Sequence, residues 1–450
     1  MNYNIKLPTD VNFILDTISK SGYDSYVVGG CVRDSLLGTI PHDWDITTSA
    51  SPETIMSIFK DYKVIPTGLK HGTVTVVIND IPYEITTYRT DGIYVNHRKP
   101  ESVMFTSNIV GDLSRRDFTI NAIAYNPTCG LVDPFNGITD LRQGLIRCVN
   151  NPQVRFEEDA LRILRAIRFS AQLKFSIEPN TSLQIHKLKQ LLQYISYERI
   201  NSEFSKMIIT DSFVDVLSEY KDVFAVFIPE LSYMFDFEQH NSYHDFNVFD
   251  HTLHALRHCE SKDLITRLAI LFHDIGKPHC YQDEPGIQNF RHFRGHAYVS
   301  SDICSKRLTK LRFDNETITK VSELVLYHDA IIEEGRKYVR RWLNKISSDQ
   351  FVRLIDIKIC DVKGQKNSID EVRVQKLKNI LSIYDQVTQD NECFSLKDLA
   401  VDGYDLMGSG IPEGKEIGKT LNRLLELVIS DQCSNTKEDL LSFVFIDTIE

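Results

Sequence analysis

A short apolar strand that runs into two adjacent glycines, with a pair of aspartates soon after, constrains this chain more than any other feature. Tyr26-Val27-Val28 leads into Gly29-Gly30-Cys31-Val32-Arg33-Asp34, and Asp43-Trp44-Asp45 stands nine residues beyond Asp34. The pattern predicts a strand, a glycine turn and a helix beginning at Val32. Backbone N–H groups at such a turn and at a helix start suit phosphate. Side chains at i and i+2 of a strand share a face, so Asp43 and Asp45 can hold hard cations together with substrate phosphates. The combination reads as a site for nucleoside triphosphate chemistry.

The 450 residues provide for two to four domains. No apolar run approaches the 18 residues of a membrane span, and MNYNIKLPTD lacks the basic and apolar blocks of a signal peptide. Nine cysteines without a CxxC point neither to a disulfide framework nor to a zinc ribbon, which fits a reducing cytoplasm. A net charge of −11 argues against a chain coated in nucleic acid. It leaves room for local basic clusters, at Lys306, Arg307, Lys310 and Arg312 and at Arg336, Lys337, Arg340 and Arg341.

Alternation in Thr73-Val74-Thr75-Val76, a turn at Asn79-Asp80, then Tyr83 to Tyr88 predict a hairpin. Glu84 becomes a third carboxylate if its face looks toward Asp43 and Asp45. The polar segment 89–105, with His97, Arg98, Lys99 and Pro100, reads as a long functional loop. In Asp112-Leu113-Ser114-Arg115-Arg116-Asp117 the guanidinium forks suit phosphate and Asp117 can accept from a ribose hydroxyl. Apolar residues at 160, 163, 164, 167 and 171 predict one amphipathic helix over Phe156–Phe169, with Glu158, Arg162 and Arg165 opposite the stripe.

GGxVRD followed by DxD resembles the nucleotidyltransferase fold of the DNA polymerase β superfamily. The ordered series GGCVRD, DWD, RRDFTINA and EDALRILRAIRF resembles class II tRNA nucleotidyltransferases and their bacterial poly(A) polymerase relatives, over residues 25 to 175. The resemblance implies an α+β fold: a polymerase-β-like head (1–145) with a mixed sheet, then an all-α neck (146–235), body (236–375) and tail (376–450). It implies two Mg²⁺ on Asp43 and Asp45, with Glu84 completing the catalytic carboxylates. Gly29, Gly30, Arg33 and Arg116 would take phosphate, Asp117 would contact the ribose, and Asn121 would belong to the same nucleotide-binding set. Asp159 and Arg162 would read the base, with Glu158, Arg165 and Arg168 supporting the nucleotide site.

The implied reaction is template-free addition or repair of the tRNA 3′-CCA from CTP and ATP, with the acceptor arm and elbow as RNA partners. Gly68-Leu69-Lys70-His71-Gly72-Thr73 and the 89–105 loop resemble CCA-adding members. A-only addition, CC addition, poly(A) synthesis and a non-enzymatic tRNA-binding role stay open as alternatives.

A second constellation consists of His251, His273-Asp274, His296, His328 and Asp361. It resembles HD metal-dependent phosphohydrolases, which implies a divalent metal of unspecified identity and hydrolysis of phosphoesters. In the tail, Ile417, Leu421, Leu424, Leu425 and Val428 predict a helix, and Asn435 or Thr436 caps the next. The resemblance gives this tail the tRNA elbow.

Overall fold

The computed structural model describes residues 4–445 apart from 93, 96, 98 and 285–289, so Arg98 lies outside the described residues. The chain divides into two compact units, Met1–Pro229 and Glu230–Glu450.

The first unit is built on a seven-stranded sheet. Its order is Gly130–Val132, Ala124–Asn126, Ser25–Val28, Ile46–Thr48, Ile81–Thr87, Thr73–Ile78 and Lys63–Gly68. Neighbours are antiparallel except Ile46–Thr48 and Ile81–Thr87, which run parallel. The sheet is therefore mixed, as the α+β reading requires. Asn79 and Asp80 both take positive φ (50° and 64°), the conformation of a tight two-residue hairpin turn. One sheet face buries Val27, Ile46, Val74, Val76 and Ile85 against the helices Thr9–Lys20 and Pro52–Ile58. The segment 89–105 is not a plain loop. It forms two short antiparallel ladders, Arg89–Asp91 with Val103–Phe105 and Tyr94–Val95 with Lys99–Pro100.

The expected single helix over Phe156–Phe169 is two helices, Pro152–Glu158 and Leu161–Leu173. Asp159 breaks them with an extended backbone (φ −132°, ψ 103°). The stripe of Ala160, Ile163, Leu164, Ile167 and Ala171 is buried as its spacing predicts. Behind it Phe204, Phe213, Phe224 and Phe227 form an edge-to-face cluster, each pair contributing about 1 kcal/mol beyond its buried area.

The second unit is helical apart from a two-stranded ladder, Gln282–Asp283 with Arg291–His292. The helices Val248–Arg257, Leu264–Phe272, His296–Lys310, Asn315–Tyr327 and Ser348–Gly364 pack on one another. The tail helix Lys415–Ile429 buries Leu424, Leu425 and Val428 as its spacing predicts, and Thr436 precedes Lys437–Phe445. Several charges of the two basic clusters are paired. Arg307 pairs with Glu230, Arg336 with Asp390 and Glu392, and Arg340 with Glu392 and Asp431. Among the described residues no helix is long and apolar enough to cross a membrane.

Candidate active site and histidine cluster

The glycine turn forms as its sequence demands, with the helix starting at Gly30 rather than Val32. Gly29 caps it at φ 84°, ψ −131°, a conformation open only to glycine. A Cβ there would meet the Arg116 guanidinium at 3.0 Å, so the missing side chain is the space Arg116 uses.

Asp43 and Asp45 lie just ahead of the strand Ile46–Thr48, not within it. The Asp45 carbonyl nevertheless extends the ladder by accepting from Val28 N at 3.0 Å. Ile46 is in parallel register with Ile85, so Asp45 just before one strand and Glu84 within the other each precede that pair by one residue. Both line a cleft of about 230 Å³ with Arg89, Arg115 and Arg116. Desolvation raises the Asp45 pKa; Arg116 opposes this, while the charges of Asp43 and Glu84 add to it. Asp45 thus stands within reach of the charges of both Asp43 and Glu84, a donor set that a small dication fits.

Buried Asp112 anchors the arginine wall. It accepts from Arg115 at 2.7 Å, from Arg89 N at 3.3 Å and from Thr47 Oγ1 at 3.4 Å, with Arg116 at 3.5 Å. Burial resists its ionisation, but Arg116 and Arg115 hold its pKa below the usual carboxylate range. No motif distinguishes Asp112 from its neighbours; only its complete burial marks it.

A chain of contacts joins the glycine helix to the neck. Arg33 Nη1 donates to Asn121 Oδ1 at 2.7 Å, and Asn121 Nδ2 donates to Asp117 Oδ1 at 3.1 Å. Arg165 then makes a fork on Asp117 Oδ2 at 2.8 and 2.5 Å. Burial opposes the Asp117 charge, but Arg165 prevails and its pKa falls to about 2. Asp159 and Arg162 do not share a regular helix face, because the helix breaks between them. Asp159 accepts from Leu161 N at 3.1 Å and from Arg199 Nη2 at 3.1 Å. Arg162 is buried and held by Glu158 at 2.8 Å and by the Arg115 carbonyl at 2.8 Å. Arg168 turns to Glu203 and lies over the Phe169 ring at 4.0 Å.

In the second unit all six residues of the other constellation converge. Ligand atoms of His251, His273 and Asp361 fall within 4.8 Å of one another, as do those of Asp274, His296 and His328. Asp274 and Asp361 are both held well below the usual carboxylate range. Burial opposes this, but nearby imidazoles, with Lys277 beside Asp274, outweigh it. Asp274 raises the His273 pKa to about 10 against the pull of burial. Two glycines set the spacing. A Cβ on Gly364 would strike the Ala255 backbone N at 2.7 Å, and one on Gly276 would strike the Ser300 N at 2.6 Å. The helices bearing His251 and Asp361 thus touch backbone to backbone, as do the turn after Asp274 and the helix of His296. A cavity of about 600 Å³ opens on the cluster, bounded by Lys277, Arg291, Arg294 and Arg373 and by His244, which the sequence pattern does not include.

Residues 25–147 match the Poly A polymerase head domain family, and 297–444 match tRNA nucleotidyltransferase domain 2. A CCA-adding enzyme of Lactobacillus helveticus is 32% identical over 434 residues, 96% of this chain and 95% of that protein. One from Oceanobacillus iheyensis is 50% identical over 194 residues, 43% of this chain and 48% of that protein. The structure of the Bacillus stearothermophilus CCA-adding enzyme in complex with CTP aligns with a TM-score of 0.69 at 27% identity, covering 98% of this chain and 97% of that one. The Thermotoga maritima CCA-adding enzyme complexed with tRNA shares the fold, with a TM-score of 0.63 at 19% identity over 99% of this chain and 97% of that one.

Proposed function

The chain belongs to the CCA-adding enzyme family of tRNA nucleotidyltransferases, and we propose that it builds or repairs the 3′-CCA of tRNA in the cytoplasm from CTP and ATP. The observation that carries this reading is that Asp45 and Glu84, the residues just before the registered pair Ile46 and Ile85, line one cleft with Arg116. Asp43 and Asp45 would hold Mg²⁺, with Glu84 as the third carboxylate. When bound, the ions lower the pKa of the RNA 3′-hydroxyl and neutralise triphosphate charge.

The 3′-oxygen attacks the α-phosphorus, the bond to the β-phosphate bridge breaks, and pyrophosphate leaves. Arg33, Arg116 and the Gly29–Gly30 backbone hold phosphate, while Asp117 and Asn121 face the ribose. Asp159 and Arg162 present acceptor and donor edges to the base. Glu158 and Arg199 fix those edges, and Arg165 and Arg168 brace the helix behind them. The functional division is a head over 1–145, a base-reading neck over 146–235, a body over 236–375 and a tail over 376–450. The neck and tail take the acceptor arm and elbow, mainly through phosphates and 2′-hydroxyls, so tRNA binding weakens with salt.

Purified protein with tRNA ending at the discriminator base tests the reading, given CTP, ATP or both. CC from CTP alone and CCA from the mixture are the expected products. A-only product, an A-tail or no incorporation would each reject it.

The convergence of six imidazoles and carboxylates favours a second activity, metal-dependent phosphoester hydrolysis at the histidine cluster. There a water oxygen would bond to phosphorus and the ester oxygen would leave with the proton. Release of phosphate from a 2′,3′-cyclic nucleotide, lost in His273→Ala, is its test.

A further inference from the structure

We infer that Phe169 is a positioning residue for nucleotidyl transfer: its ring holds the Arg33 guanidinium in place for phosphate without cancelling its charge. The inference rests on the reading of Arg33 as a phosphate ligand, and concerns what keeps that ligand where it is.

Phe169 lies toward the end of the helix Leu161–Leu173 and is buried. Three guanidinium groups lie over its ring. The Arg33 Cζ is 4.9 Å from the ring centroid, the Arg165 Cζ 5.4 Å and the Arg168 Cζ 4.0 Å. Arg165 and Arg168 belong to the helix that carries Phe169, whereas Arg33 comes from the glycine helix Gly30–Leu36. The Phe118 ring meets Phe169 edge-to-face, with centroids 5.8 Å apart, and helps to fix the plane of the ring.

The three cations are balanced differently. Arg165 is forked on Asp117 and Arg168 is paired with Glu203, and both carboxylates are buried. Arg33 is buried too, but it pairs with Asp34, whose side chain is 29% exposed and screened by water. Its Nε and Nη2 face Asp34, and its Nη1 donates to the neutral amide of Asn121. These contacts occupy the edge of the guanidinium, and each Nη still carries a second N–H for phosphate. The flat face remains, which is the surface that an aromatic ring takes. A buried cation needs an electrostatic partner. A second carboxylate would supply one, and would also neutralise the charge that a triphosphate requires. A ring quadrupole attracts a cation while carrying no net charge.

The contacts close a circuit. Arg33 reaches Asp117 through Asn121, Asp117 holds Arg165, and Arg165 lies over the ring that also meets Arg33. The glycine helix is thus tied to the neck helix twice, once by hydrogen bonds and once by the ring. Arg162 stands at the opposite end of the same helix. The ring therefore acts on the phosphates, the part that CTP, ATP and pyrophosphate share, and not on the base.

The test places mono-, di- and trifluorinated phenylalanine at position 169 of the full chain. Fluorine draws electron density from the ring face and scarcely alters its shape. With tRNA ending at the discriminator base, or at CC for ATP, KM should rise stepwise with fluorination, by about tenfold for the trifluorinated ring. The rise should be the same for CTP and ATP, with kcat changed less than about twofold. Inhibition by added pyrophosphate should weaken in step. Phe169→Leu, which keeps apolar bulk but has no π face, should lose at least as much as the trifluorinated ring. In chains that carry Arg33→Met, CTP affinity measured by calorimetry should no longer depend on fluorination. A purely structural ring would lower the melting temperature of Phe169→Leu and leave KM flat across the fluorinated series, which would overturn the inference. A rise confined to one nucleotide, or one that persists with Arg33→Met, would overturn it too. In each of these cases the unmodified chain still incorporates CTP and ATP. No incorporation by the unmodified chain would overturn the nucleotidyl-transfer reading as well.

Discussion

The two clusters of carboxylates on this chain are built in opposite ways. In the head, Asp43, Asp45 and Glu84 are exposed, all their donors are oxygens, and an arginine supplies the nearest positive charge. In the second unit Asp274 is buried among imidazoles whose Nδ1 atoms are held by main-chain carbonyls and whose Nε2 atoms face the carboxylate. Open oxygen sites hold hard ions weakly and rely on substrate phosphates to finish the shell. Closed nitrogen-rich sites hold borderline ions for long periods without substrate. The head is thus expected to acquire its metal with each nucleotide, and the histidine cluster to keep a resident one.

The strongest way to break this contrast is to remove one site and read both. Asp43→Ala with Asp45→Ala should lower CTP and ATP incorporation by at least about a thousandfold, since ionic stabilisation of phosphoryl charge is worth several kcal/mol. Metal retained at the histidine cluster should not change. A parallel fall in both would mean the sites are not independent. Passage over a chelating resin sharpens the point: incorporation should return on adding Mg²⁺ alone, while elemental analysis still finds transition metal on the protein.

A smaller effect separates the units by pH. Asp117 falls from 3.8 to about 2 on folding, chiefly through Arg165. A depressed carboxylate contributes stability that is complete above its unfolded value and lost as pH falls through its folded one. The first unit of wild type should therefore lose about 2 kcal/mol between pH 5 and pH 2 that Asp117→Asn does not lose. Urea titrations at both pH values measure it, and equal losses in the two proteins would contradict the assignment. Smaller still, Arg199→Ala frees Asp159 and should reduce discrimination of CTP against UTP by about tenfold. Overall CTP turnover should hold. Unchanged discrimination would show that Asp159 is fixed by Leu161 N alone.

What could be read beforehand follows from how local each signal is. Gly29-Gly30, the Asn79-Asp80 turn and the alternation through Val76 are set by backbone preference and period, and all formed as expected. The apolar spacing continues across Asp159 without a flaw, so it predicts one helix over 156–169 where two form. Nothing in that spacing registers that Asp159 accepts from Leu161 N and Arg199 instead of continuing the helix. The 89–105 ladders leave no readable alternation because their strands are only two or three residues long. His244 was unreadable for another reason. A lone histidine carries no pattern, and only the fold places its buried Nε2 beside His251.

Gly276 and Gly364 let neighbouring backbones touch where side chains would otherwise hold them apart. The distance between ligands on different elements is therefore set by main-chain contact, the least compressible part of a protein interior. The backbones that carry these side chains cannot move closer together without a clash, nor take a larger residue at either glycine without moving apart. An ion held there would meet a fixed spacing, and Gly276 and Gly364, which lie outside the candidate ligand set, would help set which radius fits.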